Sequence, residues 1–577
     1  MAQLNCILRR AGLVLLSGGL LGLGLWRLQA TPGPREPAQP SGPAAFTSTR
    51  EVTALTVAPD GSLWVGTDGG VLHGEPGERW RKYTRLDGLP AAEVRGLAFA
   101  GGQLIAQLPR GTARFHEGVW ESVAGSPASK AGMDEGQTCG SAEWNGVRVT
   151  ALLSELRLEA PSGASRSIPL PASSTGSHVS ALLPRGDRLW AAFFGDGLWE
   201  LEGREWHRAE LELPPPAVEI TALAEDAHSV WAGTRRAGLW EYRDGAWRQH
   251  LLPDEPYDHN CQALAGYGGS LFAASLEDGL SVRTGKAWSH VAAPTVSSDA
   301  PRQMDELDGA LYLRHGNGQV DRLERGRWTR DVFRTLPRKQ VSALSADGAH
   351  LYAGQWGGWS EFDGRTWTHY LKLPELQGLV VTALLPDGGT LWAGTQGGGL
   401  VAYDRRTHTA RRYDERHGLT DDWVTSLARS GNRFYAGTFT GGLLTLERNH
   451  WRRVTEVRGA TITALAPAGS RGLYVATRTG GYRILLAGKV EPLEATAPYL
   501  DPELQALYPV PGGVWVGART GVFFVEDGPT PATGSRIPGS PSKNDGGGCL
   551  SFDAGDKHEQ AQNHTGRRRG HPHYIPP

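Results

Sequence analysis

Along this chain apolar and polar positions alternate over short stretches, and glycine-rich turns separate one stretch from the next. A period of two marks half-buried β-strands. No stretch between Phe46 and Asp527 shows the three-and-four spacing of an amphipathic helix. The pattern also recurs. Val52-Thr-Ala-Leu55, Asp60-Gly61, Leu63-Trp64-Val65-Gly66-Thr67, Gly69-Gly70-Val71 and Trp80 return as Val381-Thr-Ala-Leu384, Asp387-Gly388, Leu391-Trp392-Ala393-Gly394-Thr395 and Gly398-Gly399-Leu400. They return again as Ile220-Thr-Ala-Leu223, Val230-Trp231-Ala232-Gly233-Thr234, Gly238-Leu239-Trp240 and Trp247. The aromatic of the second strand falls at Trp64, Trp190, Trp231, Phe272, Tyr312, Tyr352, Trp392, Tyr435, Tyr474 and Trp515; Ile105 replaces it in the second unit, and the third unit, near Val147 to Val149, is degenerate. A Trp closes many units, at Trp80, Trp120, Trp206, Trp247, Trp288, Trp328, Trp367 and Trp451.

A repeat of about 41 residues with four short strands and tight Gly turns predicts a β-propeller blade. In the first unit the strands read as Val52 to Val57, Leu63 to Thr67, Gly70 to His73 and Trp80 to Tyr83, joined by Pro-Asp-Gly and Asp-Gly-Gly turns. The fold class is therefore all-β, with about twelve four-stranded blades. One ring usually holds about four to eight blades, so two propellers are expected. Six plus six is the favoured division and seven plus five the alternative, with residues 45–292 forming the first ring and 293–528 the second. The last unit lacks a closing strand after Val525, and Ala45-Phe46-Thr47 is placed to supply it.

Two stretches carry a family likeness. Leu63 to Val71 with Tyr83-Thr84-Arg85-Leu86-Asp87-Gly88-Leu89-Pro90 and Val94, and Leu391 to Leu400 with His417-Gly418-Leu419-Thr420 and Val424, resemble the two-component regulator propeller repeat. The resemblance covers roughly residues 45 to 528, and about five blades match it closely. It implies paired propellers of the kind that form the extracytoplasmic sensor region of hybrid histidine kinases. Beyond residue 528 the sequence shows no helical dimerisation segment, second membrane span or ATP-binding pattern, so the expectation is a sensor-like part without a kinase of its own.

Composition adds limits. Of 577 residues, 59 are Lys or Arg and 61 Asp or Glu, a formal charge of −2. That balance offers no basic stripe for nucleic acid. Cys6, Cys139, Cys261 and Cys549 show no metal-ligand spacing; a Cys139–Cys261 bridge is compatible with the sequence but not argued by it. Arg9-Arg10 followed by the apolar run Ala11 to Trp26 reads as an export segment over residues 1–30, either a signal peptide cut near Ala30 or an uncleaved anchor. Residues 31–44 read as a Pro/Gly/Ala-rich linker. From Pro529 onward, Gly, Pro, Ser and Asn dominate, with Arg567-Arg568-Arg569 as a short basic cluster, and residues 529–577 are expected to be a disordered tail. The location expected is periplasmic or extracellular.

The chain carries no Gly-x-Ser-x-Gly elbow and no His-Glu-x-x-His. Asp244-Gly245-Ala246-Trp247 and Asp363-Gly364-Arg365-Thr366-Trp367 approach a sialidase Asp box, but with the wrong Asp–Gly spacing. His571 and His573 are too isolated for a metal site, and Asp421-Asp422 reads as a solvated inter-blade loop. No catalytic residue, metal or cofactor is implied. Binding is the favoured activity, with a lyase or glycosidase on a propeller, or an envelope scaffold, as alternatives. Loop tips vary while the frame repeats, so ligand contacts are expected there. The candidates are Asp196, Arg235 and Arg236 in the first ring, and His315, Asn317, Gln355, Trp356, Gln396, Phe439, Arg478 and Arg519 in the second. Aromatic and Arg tips suit a sugar, a peptide or a carboxylated small molecule. A separate signalling protein is a further partner to expect.

Overall fold

The computed structural model describes residues 36–74, 80–123, 140–171, 177–209, 219–250, 255–495 and 497–527. The expected export segment, the start of the linker and the tail lie outside the described residues. Among the described residues no helix is long and apolar enough to cross a membrane.

Twelve four-stranded antiparallel sheets make up the fold, each built from one sequence repeat. In the first blade the strands run Val52–Val57, Leu63–Thr67, Gly70–Gly74 and Arg81–Tyr83, as the alternation predicts. Numbered in chain order, the blades span residues 52–83, 96–122, 140–169, 179–208, 220–250, 261–291, 301–329, 343–370, 381–413, 424–453, 462–492 and 504–526. The degenerate third unit still forms a complete blade. Strand Ala44–Phe46 pairs with the last strand, Gly521–Glu526, and completes the twelfth blade.

The rings hold five and seven blades, with the smaller ring first. Val52, Leu63, Val65 and Leu72 of blade one pack against Ala224, Trp231 and Leu239 of blade five, and this contact closes the first ring. Cys261, Leu264 and Leu271 of blade six pack against Ala506, Trp515 and Phe524 of blade twelve, and this closes the second. The favoured six-plus-six division is thus corrected, and the boundary moves from residue 292 to the crossover between residues 250 and 261. Blade six joins the second ring because its inner strand seats on blade twelve. The five-bladed ring is inserted between the outer strand of the last blade and the inner strand of blade six.

The repeat's Gly marks both closing joins. A methyl on Gly233 would sit 2.3 Å from Val52 Cγ1, and one on Gly517 would sit 2.6 Å from Cys261 Sγ. Only a residue without Cβ lets the neighbouring inner strand approach that far. Cys261 is a buried free thiol; Cys139 lies outside the described residues.

The conserved-looking Thr of each Val-Thr-Ala-Leu has a second use. The inner strand carries a β-bulge after its first residue in many blades, between Val381 and Ala383 for example. The extra residue is unpaired in its own sheet. Its hydroxyl instead donates to the first inner-strand carbonyl of the next blade: Ser180 to Ile220 at 2.6 Å, Thr425 to Ile462 and Thr463 to Leu504 at 2.7 Å, with Thr221 reaching Val52 across the first ring's closure. The ten second-strand aromatics are all buried, from Trp231 at 0 % to Trp392 at 9 % exposed.

Candidate functional site

Many loop tips are built the same way. Thr ends the second strand and its hydroxyl donates to a carbonyl in the turn, as Thr234 does to Gly238 and Thr438 to Gly442, both at 2.8 Å. The next residue donates its N–H to the residue that precedes the inner strand. Phe194 bonds His178, Arg235 bonds Glu219, Gln396 bonds Val380, Phe439 bonds Trp423 and Arg519 bonds Glu503 in this way, at 2.9–3.2 Å. Each of these five blades therefore presents a pair of side chains at the mouth of its ring.

In the second ring one pair is aromatic. Phe439 stacks on Trp423 with centroids 4.3 Å apart and planes 20° from parallel. Asp421 fixes the arrangement by accepting from Thr440 N at 2.6 Å, Thr440 Oγ1 at 2.9 Å and Trp423 N at 2.9 Å. Its carboxylate is committed to the loop. The guanidinium of Arg478, from the next blade's tip, lies 6.0 Å from the Phe439 ring centroid. Phe439, Arg478 and Arg519 line one cavity of about 530 Å³ at this mouth, within the usual range for small-ligand sites. Its floor is polar: Asn260 Oδ1 accepts from Gln262 at 2.7 Å and from Gln505 at 3.0 Å. The cavity thus combines an aromatic face, two cations, of which Arg519 lies 3.9 Å from the Glu503 carboxylate, and amides that can both donate and accept.

Three of the expected residues meet here, and the others do not. Trp356 is 52 % exposed, and its backbone bridges Val380. Gln396 is exposed, and Asn317 turns back on Gln319. His315 and Gln355 are not loop tips: both are fully buried. They occupy the repeat's Thr position, one residue before the tip. There His315 Nε2 meets Asp321 at 2.8 Å, and Ser360 donates to Gln355 Oε1 at 2.6 Å. Asp196 is bound by Trp199 Nε1 at 2.9 Å and by Arg208, so it serves its own blade. Sequence reasoning missed Trp423, Asn260, Gln262 and Gln505 as site residues. The signal for them was the residue just before, or second within, each inner strand.

The first ring repeats the aromatic motif. His178 stacks on Phe194 at 5.3 Å and 13°, and Arg235 lies 5.9 Å from the Phe194 centroid.

Arg235 and Arg236 also face a smaller cleft, of about 220 Å³, between the two rings. Arg50 lies 3.4 Å over the Tyr257 ring, which stacks on His290 at 3.5 Å. His259 Nδ1 is 2.6 Å from Asp68 and 3.3 Å from Asp258. Burial alone would lower the pKa of His259, but the hydrogen bond and charge of Asp68, then Asp258 and Glu51, raise it to about 9. Because the folded value exceeds the unfolded one, the stabilisation is complete below pH ~6.5 and is lost as pH rises to about 9. It amounts to on the order of 2–3 kcal/mol. Urea unfolding at pH 6.5 and 9.5 should show that loss in the wild type and a clearly smaller one in Asp68→Asn. Equal losses would refute the assignment.

No family model matches the chain, and no curated protein does. Among solved structures it is similar to PorZ, a surface component of the type-IX secretion system of Porphyromonas gingivalis, with a TM-score of 0.58, 12% identity and coverage of 84% of this chain and 87% of that one. It is also similar to the extracellular domain of a B. thetaiotaomicron protein classed as a hybrid two-component system, at TM-score 0.41, 16% identity and coverage of 82% and 68%. A glycoside hydrolase family 74 xyloglucanase from Xanthomonas campestris gives TM-score 0.44, 17% identity and coverage of 83% of each chain. At such identities the likeness is one of fold alone.

Proposed function

We propose that this chain is an exported, sensor-like ligand-binding module that takes a sugar, peptide or other small molecule carrying an acidic group at the mouth of its seven-bladed ring. The observation that carries the reading is the Trp423–Phe439 stack beside Arg478, over a cavity with an amide floor. Flat apolar faces of sugars and side chains pack on such rings, and guanidinium groups pair with carboxylates. Export rests on the Arg9-Arg10 and Ala11 to Trp26 pattern.

The test is a thermal-shift screen with neutral, uronic and sulfated oligosaccharides, amino acids and short peptides. A ligand at 100 times its Kd adds about 2.7 kcal/mol to folded-state stability. Phe439→Ala should weaken the binding of the responding ligand by about 2 kcal/mol, roughly 30-fold. A ligand bound equally well by Phe439→Ala would place recognition elsewhere.

A carbohydrate-active enzyme is the second reading, and the inter-ring cleft favours it. There Glu51 is held above the ordinary carboxylate range by burial and Asp68, and Asp278 by burial and Asp258. A carboxyl whose pKa is raised by burial and a neighbouring carboxylate has the environment of a general acid. Turnover of any oligosaccharide in the panel would favour this reading over binding alone.

A further inference from the structure

Blade seven breaks the latch rule. Its bulge lies between Pro301 and Gln303, so Arg302 holds the position where Thr382, Thr425 and Thr463 latch the next blade. The joining hydrogen bonds pass instead to Gln303, whose amide donates to Leu344 O at 2.6 Å and accepts from Leu344 N at 2.9 Å. Arg302 is therefore free of the joint. Its register places it at the channel mouth, and Nη1 is buried without a hydrogen-bond partner.

A second guanidinium stands beside it. Arg314 is the cross-strand partner of Gln303. Its contacts are long: 3.4 Å to Gln303 Oε1 and 3.5 Å to His315 O. Among the described residues neither arginine has a carboxylate within ion-pair distance. The nearest acids act from farther off, Asp305 on Arg314 and the exposed Glu277 on Arg302. Burial holds Asp305 up at about 7, and burial together with Arg302 lowers Arg314 to about 10. Two half-buried cations side by side are costly unless something negative completes them.

We propose that Arg302 and Arg314 form an oxyanion site at the axial mouth of the seven-bladed ring, for a phosphate, sulfate or carboxylate group. Paired guanidinium groups present parallel donors that match the two oxygens of such groups. Neither arginine lines the Phe439 cavity.

Calorimetric titration of the full chain with inorganic phosphate, sulfate and acetate at constant ionic strength tests this. The expected result is saturable one-to-one binding of at least one of the three, with the tightest identifying the class. Kd should rise at least tenfold in Arg302→Gln and stay unchanged in Phe439→Ala. Without anion, Arg302→Gln should melt at the same temperature as the wild type or higher, since it removes an uncompensated charge. No saturable binding, or equal binding by Arg302→Gln, overturns the site. A lower melting temperature for Arg302→Gln without anion would show a structural role instead and also overturns it.

Discussion

Deleting residues 36–47 is expected to open the seven-bladed ring. The strand Ala44–Phe46 is all that covers the outer edge of the last blade, with Ala44 opposite Phe524, Ala45 opposite Phe523 and Phe46 opposite Val522. Phe46 wedges between Trp288 at 5.7 Å and Trp515 at 5.9 Å, under the Arg283 guanidinium at 5.0 Å. Arg283 in turn donates to Ala38 O at 2.6 Å. Phe46→Ala alone should cost about 3 kcal/mol, the lower end for an aromatic core truncation because Phe46 is half-buried. The deletion also exposes the edge of Gly521–Glu526, so it should cost more. Hydrogen exchange over residues 504–526 should accelerate strongly in the deleted chain, while residues 220–250 keep their protection. The first ring has no such strand and closes by packing of blade one on blade five, with hydrogen bonds from Thr221 to Val52 O and from Gly238 N to Arg50 O. Unchanged exchange in residues 504–526 would refute the closure.

The second large effect lies between the rings. Lys82 Nζ, from blade one, binds Glu255 Oε1 and Thr47 O, with side chains only 12% and 10% exposed. Desolvation lowers the pKa of Lys82 and raises that of Glu255 despite their attraction. Charging the pair inside the protein is thus a net electrostatic cost that the mutual contact offsets. Lys82→Met should cost about 3–5 kcal/mol, because it leaves Glu255 buried and unpaired. Adding Glu255→Leu should recover most of that loss. Chemical denaturation of the two single variants and the double variant measures it; a double variant as unstable as the sum of the singles would contradict the account.

Much of the fold was legible because the repeat states its own physics. Val52-Thr-Ala-Leu and Leu63-Trp64-Val65-Gly66-Thr67 give strand period and turn in each unit, and Ala45-Phe46 announced its role by resembling Lys82-Tyr83. The ring partition was not legible. Val52 seats on Gly233 and Cys261 on Gly517, yet Gly66, Gly354, Gly394 and Gly437 offer the same seat in other units, so local pattern cannot say which two meet. The site was legible where the tip follows the repeat's Thr, as Phe439 and Arg478 do. It failed at His315 and Gln355, where Thr itself is replaced and a polar residue looks like a tip while closing its own blade. Trp423 was overlooked because its partner lies across the blade in space, sixteen residues on in the chain. Arg302 stood out only once the bulge register was known.

The most direct test of the central claim is hydrogen–deuterium exchange of the whole chain with and without the ligand that the thermal-shift screen yields. Binding at the seven-bladed mouth predicts slower exchange in residues 421–442, 477–480 and 517–520, with the inter-ring segments 48–51 and 235–238 unchanged. Slower exchange confined to those inter-ring segments, or none at the mouth, would contradict it.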